Sequence, residues 1–142
     1  MSGYQLIVKK PIELLAILIE NFCGNANLAL EGELSHQDFS QIPGTSKIPT
    51  NILVRNTIWP EQDFIIMPIE VGTKDLIKGK ILSQVGLRTN VLHILLEKEG
   101  VLVFAAYDTF DPDSVWLSNK ADKKLLEELR EARIIGGYKK VD

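Results

Sequence analysis

The chain predicts an α+β fold, a mainly antiparallel sheet of about five to seven strands packed by two or three helices. Three observations predict it. Residues 90–108, NVLHILLEKEGVLVFAAYD, read as two apolar strands joined by a short polar turn. Residues 11–23 and 119–132 carry apolar side chains at helical spacing. Further short apolar runs, near residues 4–9, 27–34, 51–58, 64–71 and 115–117, are separated by Gly, Pro, Asn and Asp, the punctuation of turns.

The hairpin is the most explicit element. Lys98, Glu99 and Gly100 suit a three-residue connection with Gly in the left-handed region, where the absence of a Cβ removes the steric cost. Glu97 then faces Val101, and Leu96, Ile94 and Leu92 lie opposite Leu102, Phe104 and Ala106 on the core face. Because side chains alternate along a strand, the other face carries Val91, His93, Leu95 and Glu97 against Tyr107, Ala105, Val103 and Val101. That face is apolar enough to need partial cover.

YQLIVK, residues 4–9, reads as a first strand. Pro11 suits the first position of a helix, where its missing N–H is not needed, and Gly24 and Asn25 stop the helix. Its side chains leave only a narrow polar edge of Glu13, Glu20 and Asn21, so it must be covered by another element or by a second subunit. Residues 51–58 and 64–71 read as a second hairpin around WPEQD, with Pro68 placing the return strand at an edge or bulge. Thr73 is positioned to cap a helix over residues 74–85, closed by Gly86 with Leu87 touching Leu82. Asn119 is the expected cap of the last helix, whose apolar stripe is Ala121, Leu125, Leu126, Leu129 and Ala132, and whose other face is charged. Gly136 and Gly137 release the chain into a short basic C-terminal tail, residues 136–142. There is no internal repeat, and the 142 residues match one domain.

A content of 45% apolar and 25% charged residues is that of an ordinary globular protein. A formal charge of −3 gives no electrostatic footprint for nucleic acid. Glu13 and Glu20 interrupt the first apolar run, which is too short to span a bilayer and lacks a cleavage site for a secretion signal, so no membrane association is expected. Cys23 is the single cysteine and reads as a core residue, which fits a reducing cytoplasm.

Residues 35–50 form the longest stretch without an apolar period. A connection of that length is usually a functional loop or a mobile one. Phe39, Ile42 and Ile48 are its spaced apolar residues, read either as pins or as anchors for a partner; Trp59 at the WPEQD turn and Trp116 are the other candidate partner-binding residues. His36 and Asp38 give two metal ligands without a third. His93 and Tyr107 approach each other across the hairpin, but the pleat sends Asp108 to the opposite face, so these three candidate catalytic residues do not form a dyad through Asp108. A hydrogen-bonded, half-buried His93 is expected instead. Asp108, Asp111 and Asp113 are candidate ligands for a hard cation, with Asx turns as the simpler reading. No phosphate cradle, nucleophile elbow or zinc-protease helix is present.

The reading that follows is a noncatalytic protein-binding module, such as an inhibitor, immunity factor or assembly adaptor, that uses exposed loops and needs no cofactor. One alternative is a small-molecule or metal-dependent enzyme whose polar groups, His36, Asp38, Arg55, His93, Tyr107, Asp108, Asp111 and Asp113, converge on folding. The other is a structural homo-oligomer built on the apolar first helix.

Overall fold

The computed structural model describes residues 2–35, 38–82 and 90–142. Its elements run β1 Gly3–Val8, α1 Pro11–Phe22, β2 Ala26–Gly32, β3 Asp63–Ile69, α2 Lys74–Leu82, β4 Val91–Lys98, β5 Val101–Ala106, β6 Val115–Ser118, α3 Lys123–Glu131 and β7 Ile135–Val141. The seven strands form one open sheet in the order β3-β2-β4-β5-β6-β1-β7, with every neighbouring pair antiparallel. The fold is therefore of the α+β class.

The main core lies on one face of the sheet. Leu28 and Leu30 of β2, Ile94 and Leu96 of β4, and Phe104 and Ala106 of β5 meet Leu14, Leu15, Leu18 and Ile19 of α1 and Leu126 and Leu129 of α3. Ile77 and Ile81 of α2 join the same cluster, so Leu14, Leu15, Leu18 and Ile19 of α1 are covered within the chain, while Ile12 and Ile17 stay partly exposed. Pro11 occupies the start of α1 as expected. The other end is closed by an unforeseen contact, in which the Lys98 ammonium donates to the carbonyls of Phe22, Cys23 and Gly24 at 3.1, 3.0 and 2.8 Å. The Phe22 and Cys23 carbonyls are among those a helix end leaves without an internal partner, and a cation also complements the helix dipole there.

The hairpin forms, with a corrected register. Glu99 and Gly100 are both left-handed, at φ +52° and +80°, which closes a two-residue turn and pairs Lys98 with Val101 and Glu97 with Leu102. A bulge then shifts the pairing so that Leu96 faces Phe104. Val103, the extra residue, turns into the main core beside Phe104, while Leu102 packs on the opposite face. A second bulge between Glu31 and Gly32 does the same for β4, placing Val91 in the main core. Gly32 is needed there, because a Cβ on it would lie 2.3 Å from the Asn90 carbonyl oxygen.

Three further expectations are corrected. Residues 51–58 are not a strand, because β2 already has β3 and β4 as its two neighbours and the free edge of β3 receives a single bridge, from Ser46 to Ile66. Residues 50–58 instead cross the second face of the sheet as a strap. Residues 136–142 are not a tail: most of them build β7, pairing with β1, and Gly136 lies where a Cβ would come within 2.8 Å of the Lys9 side chain. The cap of α3 is Asp122 rather than Asn119, its carboxylate accepting the Lys124 N–H at 3.0 Å. Pro68 does lie on an edge strand, β3. Before α2, the Thr73 hydroxyl is used inside the preceding turn, donating to the Pro68 carbonyl at 2.7 Å, and the expected ending at Gly86 and Leu87 lies outside the described residues.

On the surface, α1 and α2 are joined by Glu20, whose two oxygens accept from Lys74 at 2.7 Å and Lys78 at 2.8 Å. Hydrogen bonds from Lys74 and then Lys78 pull its carboxyl down from 4.5 to about 2. Between those two values the unfolded chain binds a proton that the folded chain does not, so the contribution is complete above pH 4.5 and lost as pH falls toward 2. Glu20→Gln is expected to melt less steeply with acidification across this window than the parent, with the difference shrinking at high salt. Parallel Tm profiles from calorimetry would contradict the bridge.

Candidate functional site

The second face is where polar and apolar chemistry meet. Across the sheet, Ile66 of β3, Ala29 of β2, Leu95 of β4, Ala105 of β5 and Trp116 of β6 are paired in one row. Large and small side chains alternate, and Leu53 of the strap, wholly buried, joins Ala29, Leu95 and Ala105 in the second apolar cluster. Alternation of size lets a crossing segment seat a side chain between neighbours without opening a void. Beyond Trp116 the row continues with Gln5 and Lys139, so its apolar part stops there.

Polar pairs flank this row along β2 and β4. At one end, Asn27 donates to Glu97 at 2.8 Å. At the other, Glu31 and His93 are cross-strand partners and are only 1% and 6% exposed. A carboxylate so deeply buried needs donors, and the strap supplies them: Glu31 accepts the N–H of Asn56 at 2.7 Å and of Thr57 at 3.2 Å, one on each oxygen. His93 Nε2 lies 2.7 Å from the Thr57 hydroxyl, and its Nδ1 accepts the Asp108 N–H at 3.2 Å. The Tyr107 ring stands 5.8 Å from the imidazole, and burial pushes its phenol above the usual value.

By distance alone, Thr57 and His93 resemble a nucleophile and its base. The tautomer decides otherwise. Because Nδ1 receives a proton donor from the backbone, the neutral ring carries its proton on Nε2 and donates to Thr57, so it cannot accept the Thr57 proton. The Asp108 carboxylate takes no part in these His93 contacts; its main-chain N–H does. Asp108, Thr109 and Phe110 are all left-handed, at φ +52°, +57° and +58°, a costly conformation for residues with a Cβ that aims this N–H at the ring.

Above Glu31 and His93 the strap rises into an arch. Arg55 donates to the Gln62 carbonyl, lies 5.2 Å from the Phe64 ring centre and sits 3.7 Å from Glu61, tying the two stems together. Gln62 also donates to the Pro60 carbonyl at 3.0 Å. At the tip, Ile58 is 95% and Trp59 85% exposed, and Ile48 and Val54 are also exposed.

The other candidate residues separate. Phe39 and Ile42 are 4% and 1% exposed, inside the main core, so they are pins of the 35–50 loop and not available to a partner. Ile42 N–H bonds back to the Phe39 carbonyl at 3.1 Å, and this compact turn is what carries both side chains inward. Trp116 is half-buried, packs on the second cluster and lines a shallow cavity of about 320 Å³ with Gln5, Tyr107, Asp113 and Val141. A larger cleft of about 510 Å³, lined by Asp38, Lys47, Arg55, Glu61 and Asp63 among others, lies beside the arch. Its carboxylates have internal donors: Asp63 takes the Leu34 N–H, and the Ser40 hydroxyl and then its N–H hold Asp38 below the ordinary carboxylate range.

Of the described residues considered for catalysis, Asp38 and Arg55 line one cavity, Tyr107 and Asp113 the other, His93 is buried, and Asp108 and Asp111 line neither cavity. His36 lies outside the described residues. Asp111 accepts from Asp113 N–H and the Ser114 hydroxyl, an Asx turn. Among the described residues no three His, Cys, Asp or Glu side chains are grouped to hold a metal ion, so Asp108, Asp111 and Asp113 do not converge as ligands. Glu31 and Thr57 were not singled out by sequence reasoning. The signal available was a carboxylate in the run LALEG, on the same face as Ala29.

No family model, curated protein or solved structure matches this chain. Among the described residues no helix is long and apolar enough to cross a membrane.

The tautomer is directly checkable. Long-range ¹H–¹⁵N spectra of the folded protein are expected to show His93 protonated at Nε2 with a lone pair on Nδ1. A protonated Nδ1 in the neutral ring would contradict the Asp108 contact and reopen Thr57 as a nucleophile.

Proposed function

We propose that the protein is a noncatalytic binding module and that the Ile58–Trp59 tip of the arch is its contact surface for a protein partner. The observation that carries this reading is the near-complete exposure of two large apolar side chains on a backbone tied at both stems. Scattered apolar residues are normal on a surface, but an adjacent Ile and Trp at the apex of a fastened arch form an anchor whose ordering cost is already met in the free protein. Trp is also among the residues that most often dominate binding energy.

The enzyme reading lacks a comparable support. It needs an acid, a base and a nucleophile facing one space, whereas His93 is occupied as donor and acceptor and the aspartates serve turns. A cytoplasmic inhibitor or adaptor acting on another protein fits the apolar tip, the net negative charge and the single cysteine.

Pull-downs from the source cell's lysate test this with three baits: the parent, Trp59→Ser, and Trp116→Phe as a control away from the arch. A stoichiometric partner retained by the parent and the control, and reduced at least about tenfold by Trp59→Ser, is the expected result, since a hot-spot truncation costs roughly 2 kcal/mol or more. Equal retention by all three would contradict the assignment of the tip.

A further inference from the structure

Residues 50–58 are fastened to the sheet differently from the strands beneath them. Among the described residues their one backbone–backbone hydrogen bond is internal, from Thr50 N–H to the Leu53 carbonyl at 2.9 Å. What holds them down comes from side chains: Leu53 and Ile52 in the second cluster, Arg55 over the Phe64 ring and on the Gln62 carbonyl, the Glu31 carboxylate on two successive amides, and His93 on the Thr57 hydroxyl. A segment without ladder bonds opens at lower cost than a strand, and such segments exchange their amide protons without global unfolding. Stability alone is a poor reason for this chemistry, because well-packed apolar groups in place of buried charged or polar ones are often neutral or stabilising.

We infer that Glu31 and His93 are a two-point latch on a strap that opens locally while the sheet stays intact, and that the latched state is the one that presents Ile58 and Trp59. The second half rests on the reading of the tip as the contact surface; the first does not. Both latch points act on residues 56 and 57, immediately before the tip, while Leu53 holds the strap further back. Loss of the latch therefore releases residues 56 and 57 from the sheet while Leu53 and the Arg55 contacts stay in place. Glu31→Gln is the sharpest probe. It keeps the shape but replaces one acceptor oxygen by an NH₂ group, so that one of the two N–H donors meets another donor.

The experiment is residue-resolved amide exchange by NMR on the full chain, comparing the parent with Glu31→Gln and, as an independent variant that keeps Glu31, Thr57→Val. Leu30 and Leu95 serve as reporters of the sheet. Exchange at Asn56 and Thr57 is expected to quicken about tenfold or more in Glu31→Gln and about threefold or more at residue 56 in Thr57→Val, consistent with the cost of an unmade buried hydrogen bond. The reporters should change less than about twofold. Unchanged rates at 56 and 57, or rates that rise in step with Leu30 and Leu95, would overturn the latch. Local acceleration in Glu31→Gln with undiminished partner capture by that variant would overturn its presenting role. The exchange result stands whether or not Trp59 proves to be the contact, so the two readings fail separately.

Discussion

The burial of Glu31 beneath the strap is the constraint on which the second half of this structure depends. A carboxylate that is 1% exposed has no water to solvate it, and its charge must be met by fixed donors. The donors here are main-chain amides of residues 56 and 57, which belong to no strand or helix. Satisfying the carboxylate therefore fixes the course of a segment that has no ladder of its own. It crosses the alternating row, drops Leu53 in beside Ala29, Leu95 and Ala105, and emerges as an arch whose apex projects Ile58 and Trp59.

The two faces of the sheet are thus held by different physics. The main face is an apolar interface between sheet and helices, with polar contacts such as Lys98 on the carbonyls at the end of α1 and Tyr138 on Glu127 at its rim. Burial of that area is the dominant stabilising term and is non-directional. The strap side combines one deep apolar side chain with directional bonds from Glu31 and His93. Directional contacts add little net stability but specify position. Such a division lets the sheet remain firm while the arch is adjusted or released.

How much of this was legible in the chain depends on the range of the interaction. The spans of β1, α1, β2, β5 and β6 follow from local rules, among them alternation, Pro11 at a helix start, and left-handed Gly24 and Asn25 at its end. The hairpin was legible in its existence and in the inward turn of Ile94, Leu96, Phe104 and Ala106, but not in its register, because the bulge at Val103 leaves no mark in an evenly apolar strand. Residues 51–58 have the composition of a strand, yet they make no ladder on β3, whose outer edge carries only the Ser46–Ile66 bridge, and lie across the second face instead. Glu31 and Thr57 lie 26 residues apart, so their meeting is a product of topology that no local pattern encodes. The exposure of Trp59 was foreseen as a possibility of its turn, whereas the burial of Phe39 and Ile42 depends on a loop folding back onto the core.

The central claim, that the strap is seated on the second face with Thr57 against His93, is tested most directly by nuclear Overhauser measurements on a methyl-labelled sample. Cross-peaks between the Thr57 methyl group and the His93 ring protons, together with contacts from the Leu53 methyls to Ala29 and Ala105, are the predicted result. Absence of both sets, with residues 50–58 at random-coil shifts while the sheet is intact, would contradict it.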